Sequence, residues 1–353
     1  MSVPLSPEDL HIPCPVLGIC GFSGAGKTTL LGQVLPELAK RGLRVAVVKH
    51  DAHGIQVDRP GKDSDRLFNA GADVLLQGPD ETLLRTRREY GGDLAAALAL
   101  LSPHHDLILV EGHKDSPCGK IWLRDRAGRP APGTVRGVVD SYDFGGDRAA
   151  RLVDFLAGWL PRQWRRTPVL GCVLIGGRSR RMGRPKHLLR RDGATWLERT
   201  VALLDAHCES VVISGAGEVP DAVGHCPRLP DAPALQGPLA GLLACLRWAP
   251  HASWLVCACD LPELSRPALA WLLEQRRPGA WAVLPRRHAD APAEPLFALY
   301  DFRARPLLEA QAARGNMAPR AIAAHDKVFT PVVPPALAAA WRNVNTPAGN
   351  EET

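Results

Sequence analysis

No apolar run in this 353-residue chain approaches the ~20 residues that cross a bilayer as a helix. That argues against a membrane span. The N-terminus lacks the basic start and apolar centre of a signal peptide. Met1 to Pro15 instead holds Pro4, Pro7, Glu8, Asp9, Pro13 and Pro15, and reads as a flexible leader (residues 1–15) on a cytoplasmic protein. The nine cysteines lack an even framework, which excludes a disulfide scaffold. Cys257 and Cys259 fall on one face of a strand, yet no second pair at ligand spacing joins them. They read as reduced, buried thiols rather than a metal pair. A strong excess of one charge is also missing. A net charge of +6 suits anionic small substrates and is too diffuse to imply nucleic acid.

What is present is an ordinary core-forming composition, 46% hydrophobic and 23% charged, over a length that allows two domains. Apolar runs at Val16–Cys20 and Arg44–Val48 flank a helical pattern at Thr28–Arg41, a βαβ unit with parallel strands. Further strands are expected at Asp73–Leu76 and Asp106–Val110, with helices at Leu94–Leu101 and Ala149–Leu160. Pro161–Pro168 is basic and proline-bounded and reads as the junction. The alternation then restarts. Strands are expected at Val169–Ile175, Ser210–Ser214, Trp254–Ala258 and Ala280–Leu284, and helices at Thr195–Cys208, Pro238–Ala249, Arg266–Gln275 and Arg303–Arg314. No repeat links the halves. The fold class is α/β, with two doubly wound domains in tandem at 16–160 and 169–353, and 161–168 as linker.

Each half opens on a glycine-rich loop. The first is Gly21-Phe22-Ser23-Gly24-Ala25-Gly26-Lys27-Thr28, between a strand and a helix. Gly21, Gly24, Ala25 and Gly26 turn backbone N–H groups around phosphate oxygens, and the helix N-terminus adds its dipole. Lys27 reaches the β- and γ-phosphates, Thr28 offers a hydroxyl to Mg²⁺, and Thr29 follows in the same turn. A carboxylate at a neighbouring strand end completes such a site. Glu111, closing Asp106–Val110, fits as a Mg²⁺ contact, with Gly112 near the γ-phosphate. Asp51, ending Lys49-His50-Asp51, lines the nucleotide site; His50 and His53 lack the further ligands zinc requires. Pro60–Ser64 is a turn into a helix, either facing an anion or simply capped at Asp63 or Ser64.

These elements, GFSGAGKTTL, RVAVVKHDAH, DRPGKDSDR with AGAD, and DLILVEGHKDSPCGKI, come in the order of the MobB family, the GTP-binding adaptors of molybdopterin-guanine dinucleotide biosynthesis, and resemble it over most of 16–160. The resemblance implies a P-loop NTPase domain that binds GTP and hydrolyses it weakly. No Asn-Lys-x-Asp guanine-reading element is present.

The second loop is Gly176-Gly177-Arg178-Ser179-Arg180-Arg181-Met182-Gly183-Arg184-Pro185-Lys186, after Leu174 and Ile175. Its cations converge on a strongly anionic ligand. Nucleotidyl transfer needs that, since charge builds on the α-phosphoryl oxygens and the departing pyrophosphate. Arg181 and Lys186 are the candidates; Arg178, Arg180 and Arg184 are equally read as solvated. Asp260, at a strand end, is placed to hold Mg²⁺, and Asp231 approaches the same edge. Gln236–Gly241, through Gly237, either admits a base or ribose or only packs a helix on the sheet.

GGRSRRMGRPK, GPLAGLLACL, LVCACDLP and Asn343-Val344-Asn345-Thr346-Pro347 resemble the MobA family of molybdenum cofactor guanylyltransferases across about 169–347. The resemblance implies a Rossmann-like nucleotidyltransferase in which Leu174, Ile175, Gly176, Gly177, Lys186, Ser214, Asp231, Gly237 and Asp260 bind GTP. Asp260 would hold Mg²⁺, and Asn343 or Asn345 would complete the metal or pterin site. Pro185 stands where the family usually has Asp, and Ser214 where a nucleotide-contacting Asn is expected. The expectation is a MobB–MobA-like fusion that transfers GMP from GTP to the phosphate of molybdopterin. It would contact molybdenum-insertion proteins and molybdoenzyme chaperones, with a homodimer through the first domain. Against it stand a cytidylyltransferase or sugar-phosphate nucleotidyltransferase, for which Pro185 speaks, and a GTP-dependent scaffold with an inactive second domain.

Overall fold

Hydrophobic β-rich runs that lead into glycine-rich turns become the central strands of two sheets. The computed structural model describes residues 12–49, 58–86, 93–176 and 185–344. The chain divides into two compact units between Leu156 and Ala157.

In the first unit β1 (Val16–Gly21) leads through the first loop into α1 (Lys27–Lys40) and β2 (Val45–Lys49). α2 (Asp63–Asn69) precedes β3 (Val74–Gln77) and β4 (Thr82–Arg85), and α3 (Leu94–Leu101) precedes β5 (Leu107–Glu111). β6 (Lys120–Leu123), β7 (Val138–Tyr142) and α4 (Arg148–Trp164) follow. The sheet runs β2-β5-β1-β6-β7, every pairing parallel. All five residues of β5 are buried, as its unbroken apolar run requires of a strand covered on both faces. Asp106 stays fully buried before it because its carboxylate accepts from Arg44 N at 2.7 Å, while its own N–H donates to Arg44 O. β3 does not join this sheet as expected. It pairs antiparallel with β4, across a turn that closes Gly78 N on Glu81 O.

The closing helix α4 runs past the expected Leu160, through Pro161, to Trp164. In the second unit Trp164 lies stacked on Phe302 and under the Arg303 guanidinium, 3.6 Å from the ring centre, and its carbonyl accepts from Arg276.

The second unit runs β8 (Val169–Leu174), β9 (Arg190–Arg191), β10 (Ala194–Thr195), α5 (Trp196–Asp205), β11 (Val211–Ser214), β12 (Arg228–Leu229), α6 (Pro238–Trp248), β13 (Ser253–Ala258), α7 (Arg266–Glu274), β14 (Ala282–Val283), β15 (Phe297–Tyr300), α8 (Ala304–Ala313) and β16 (Val328–Phe329). Its sheet order is β12-β11-β8-β13-β15-β14-β16. β12, β11, β8 and β13 are parallel, whereas β15 runs antiparallel between β13 and β14. Successive side chains alternate faces. Val173, Ile213, Leu255 and Cys257 therefore pack one core with α5 and α7, and Cys172, Val212, Trp254 and Val256 the other with α6 and α8. A capping box starts α5: Thr195 accepts from Glu198 N, and Glu198 accepts from Thr195 N.

None of the nine cysteines, all among the described residues, forms a disulfide. Cys257 and Cys259 share one core cluster with leucines, as buried thiols. Among the described residues no helix is long and apolar enough to cross a membrane, and no three His, Cys, Asp or Glu gather as a metal cluster.

Candidate functional site

Both loops leave the carboxyl edge of their sheets, where open α/β sheets bind ligands. In the first unit a Cβ on Gly21 would lie 2.6 Å from Leu123 O, so only glycine lets the loop leave alongside β6. Gly24 and Gly26 hold φ of 77° and 86°, the left-handed region open to glycine. Lys27 Nζ lies within the loop, donating to Gly21 O at 3.3 Å and Phe22 O at 3.0 Å. Desolvation draws its pKa below the ordinary lysine value, with the Glu111 carboxylate opposing.

Thr28 and Glu111, read separately from sequence, meet: Thr28 Oγ1 donates to Glu111 Oε1 at 2.8 Å. The strand register causes this, since β5 pairs with β1 so that Glu111 lies opposite Ile19, beside the start of the loop. A hydroxyl and a carboxylate are the hard oxygen donors Mg²⁺ takes alongside phosphates. Thr29 is exposed in the first turn of α1. His50, Asp51 and His53 lie outside the described residues; β2 ends at Lys49, opposite Glu111. The turn at Pro60–Ser64 is capped by neither Asp63 nor Ser64. Lys62 is the N-cap residue, Ser64 Oγ donates to Asp58, and Asp65 accepts from Gly61 N. Arg85 joins Asp58 and Asp65.

Sequence reasoning missed the cations around this loop. Phe22 packs edge-on against Trp122, with the Arg129 guanidinium 4.1 Å and Lys114 Nζ 4.9 Å from its ring centre. Arg148, from the start of α4, donates to Ala25 O at 2.8 Å. No local spacing announces a contact between residues so far apart.

In the second unit Lys186 Nζ donates to Asp260 Oδ2 at 2.9 Å, each side chain 17% exposed. Asp260 Oδ1 is buried without a hydrogen-bond partner among the described residues. A buried carboxylate oxygen is costly to leave unpaired, and a hard cation satisfies it. The Asp260 carbonyl accepts from Val344 N at 3.1 Å, which returns the chain end carrying Asn343 to this edge. Burial pushes the neighbouring Cys259 thiol up to about 12.

A second cluster lies at the ends of β8 and β11. Ile175 N donates to Ser214 O, and Cys259 N to Leu174 O. Ser214 Oγ is buried and has no hydrogen-bond partner among the described residues. A Cβ on Gly241 would lie 2.7 Å from Leu174 Cδ2, 2.9 Å from Ser214 Oγ and 3.5 Å from Asp231 Oδ1. Leu174, Ser214 and Asp231 therefore meet α6 at Gly241, where only glycine permits so close an approach. Gly176 and Gly237 both hold positive φ, 103° and 67°, and Gly237 starts α6 as its N-cap. Gly177, Arg178, Arg180, Arg181, Arg184 and Asn345 lie outside the described residues.

His187 is another missed residue. It is 3% exposed, and its Nε2 lies 2.8 Å from Glu218 O. That seats the short turn carrying Lys186 against the loop after β11. A cavity of about 380 Å³ opens at Leu261, the residue after Asp260, lined also by Pro238, Phe297, Arg320, Trp341 and Asn343 among others.

Residues 16–136 match the family of molybdopterin guanine dinucleotide synthesis protein B, and residues 171–328 match the MobA-like NTP transferase domain. The molybdopterin-guanine dinucleotide biosynthesis adapter protein of Haemophilus influenzae is 38% identical over 160 residues, 41% of this chain and 89% of its own. A probable molybdenum cofactor guanylyltransferase of Opitutus terrae is 39% identical over 150 residues, 41% of this chain and 73% of its own. A molybdenum cofactor biosynthesis bifunctional protein of Synechocystis is 34% identical over 113 residues, 31% of this chain and 33% of its own.

Proposed function

Because the chain belongs in its first half to the molybdopterin-guanine dinucleotide biosynthesis adapter family and in its second to the molybdenum cofactor guanylyltransferases, we propose that it makes the guanine dinucleotide form of the molybdenum cofactor with one domain and serves that step with the other. The second unit transfers GMP from GTP to the terminal phosphate of molybdopterin and releases pyrophosphate. The acceptor phosphate is already ionised at neutral pH, so positioning and electrostatic stabilisation carry the rate. The ion pair of Lys186 with Asp260, whose second carboxylate oxygen is buried with no hydrogen-bond partner among the described residues, is the observation that carries this reading.

Lys186 offsets charge on the α-phosphoryl group and pyrophosphate, and Arg181 assists. Leu174, Ser214, Asp231 and Gly237 take the nucleoside, with Ile175, Gly176 and Gly177 against the phosphates. The cavity beside Leu261 and Asn343 takes the acceptor. Asp260, with Asn345, would hold Mg²⁺, which supplies positive charge to the triphosphate oxygens. In the first unit the loop at Lys27 binds GTP and hydrolyses it slowly, Thr28 and Glu111 would hold a second Mg²⁺, and Asp51 lines the site. The working domains are 16–160 and 169–353.

The deciding experiment is mass analysis of the product after incubating the chain with molybdopterin, molybdate, Mg²⁺ and each nucleoside triphosphate. Product with CTP alone would replace the guanylyl reading by a cytidylyl one. No dinucleotide with any nucleotide would favour a scaffold. A homodimer through the first unit fits the exposed Leu67, Leu75, Leu76 and Leu84; sedimentation of the chain at rising concentration tests it.

A further inference from the structure

Arg148 has no part in the chemistry above, yet it gathers four backbone carbonyls. Nη1 donates to Ala25 O at 2.8 Å, Nη2 to Arg124 O at 2.6 Å and Tyr142 O at 3.3 Å, and Nε to Asp143 O at 2.5 Å. Ala25 belongs to the phosphate loop, while Arg124, Tyr142 and Asp143 follow or end β6 and β7. Burial draws this cation's pKa down, with Asp143 opposing.

The Ala25–Gly26 peptide joins Ala25 to Gly26, a glycine of positive φ. Glycine has wide backbone freedom, so nothing at Gly26 itself prevents this peptide from flipping. A trans peptide is planar, with its C=O and N–H pointing in opposite directions. Fixing Ala25 O outward on Arg148 therefore fixes Gly26 N–H toward the inner side of the loop. That N–H is one of the donors that cradle phosphate at a helix start.

We propose that Arg148 is a positioning residue for nucleotide binding: its hydrogen bond to Ala25 O holds the Ala25–Gly26 peptide so that Gly26 N–H is aimed at a phosphate oxygen of the bound nucleoside triphosphate. The proposal rests on the reading of the Lys27 loop as a triphosphate site. It accounts for a half-buried guanidinium spent on carbonyls at the sheet edge, where one donor reaches the loop itself.

The test uses the full chain with Lys186→Ala and Asp260→Ala, so that the first loop dominates binding of a slowly hydrolysed GTP analogue. Arg148→Met is expected to weaken binding about tenfold or more, the scale of a lost charge-assisted hydrogen bond. Arg148→Lys, which retains a donor, should recover part of it, free guanidinium should restore part of the affinity of Arg148→Ala, and the ³¹P resonances of the bound analogue should shift in Arg148→Met. Binding by Arg148→Met equal to that of the parent overturns the proposal. So does a loss that accompanies a lower melting midpoint and that neither lysine nor guanidinium relieves, since that marks a purely structural role. Unchanged binding in Lys27→Ala is a separate result, overturning the triphosphate reading itself.

Discussion

Lys186 Nζ and Asp260 Oδ2 lie 2.9 Å apart although 74 residues separate them in sequence. The pair joins the end of the second glycine-rich loop to the end of β13. Asp260→Asn keeps the shape and removes the charge, and it should lower kcat of guanylyl transfer by about a hundredfold or more, the scale of a lost electrostatic stabiliser. Lys186→Ala should cost a similar factor, and the double variant less than the product of the two, because the residues act as a unit. Pyrophosphate release measures all three; near-normal turnover by Asp260→Asn would show that the carboxylate charge is not used.

The contact of Thr28 with Glu111 makes a parallel forecast for the first unit. Glu111→Gln retains an acceptor for Thr28 but offers Mg²⁺ a weaker ligand. Nucleotide affinity should lose most of its Mg²⁺ dependence and keep its Mg²⁺-independent part, as read by calorimetry with and without chelator. An unchanged Mg²⁺ dependence would remove Glu111 from the metal site.

Gly241 sits where a methyl would press on Leu174 Cδ2 at 2.7 Å and Ser214 Oγ at 2.9 Å. Gly241→Ala should destabilise the protein by about 1–3 kcal/mol through overpacking. It should also raise KM for GTP, since Leu174, Ser214 and Asp231 are the proposed nucleoside contacts. Thermal melting and steady-state kinetics check the two halves of this forecast.

Buried thiols set an alkaline limit. Burial raises Cys20 from an ordinary 9.0 to about 11 and Cys259 to about 12. Unfolded thiols ionise near 9.0 while the folded ones stay protonated, so the folded state binds more protons above that pH. Their contribution to stability is fully present below the unfolded value and is lost as pH rises from there toward the folded values. Urea unfolding across this window should show the fall, and Cys20→Ala should make it shallower. An identical slope in the variant would remove Cys20 as a cause.

Much of this was legible residue by residue. The first loop, the central strands β1, β5, β8 and β13, and the helices after them follow from short apolar runs and glycine spacing, and the structure moves their ends by a few residues at most. The misses are non-local. β15 inserts antiparallel between β13 and β14, which no period in Phe297–Tyr300 announces. β3 has a strand's composition, but its partner is β4 rather than the parallel sheet. Strand pattern states that a segment is extended; the partner is chosen by what else the fold leaves to cover.

The sequence by itself determined the first glycine-rich loop, because a strand, a run of glycines and a helix start act within about ten residues, where backbone sterics and dipoles decide the shape. Only the tertiary structure decided which charges face each loop. The bonds from Thr28 to Glu111, from Lys186 to Asp260 and from Arg148 to Ala25 span 83, 74 and 123 residues. They exist because parallel strands bring their carboxyl ends to one edge, and that register is fixed by packing across the whole sheet.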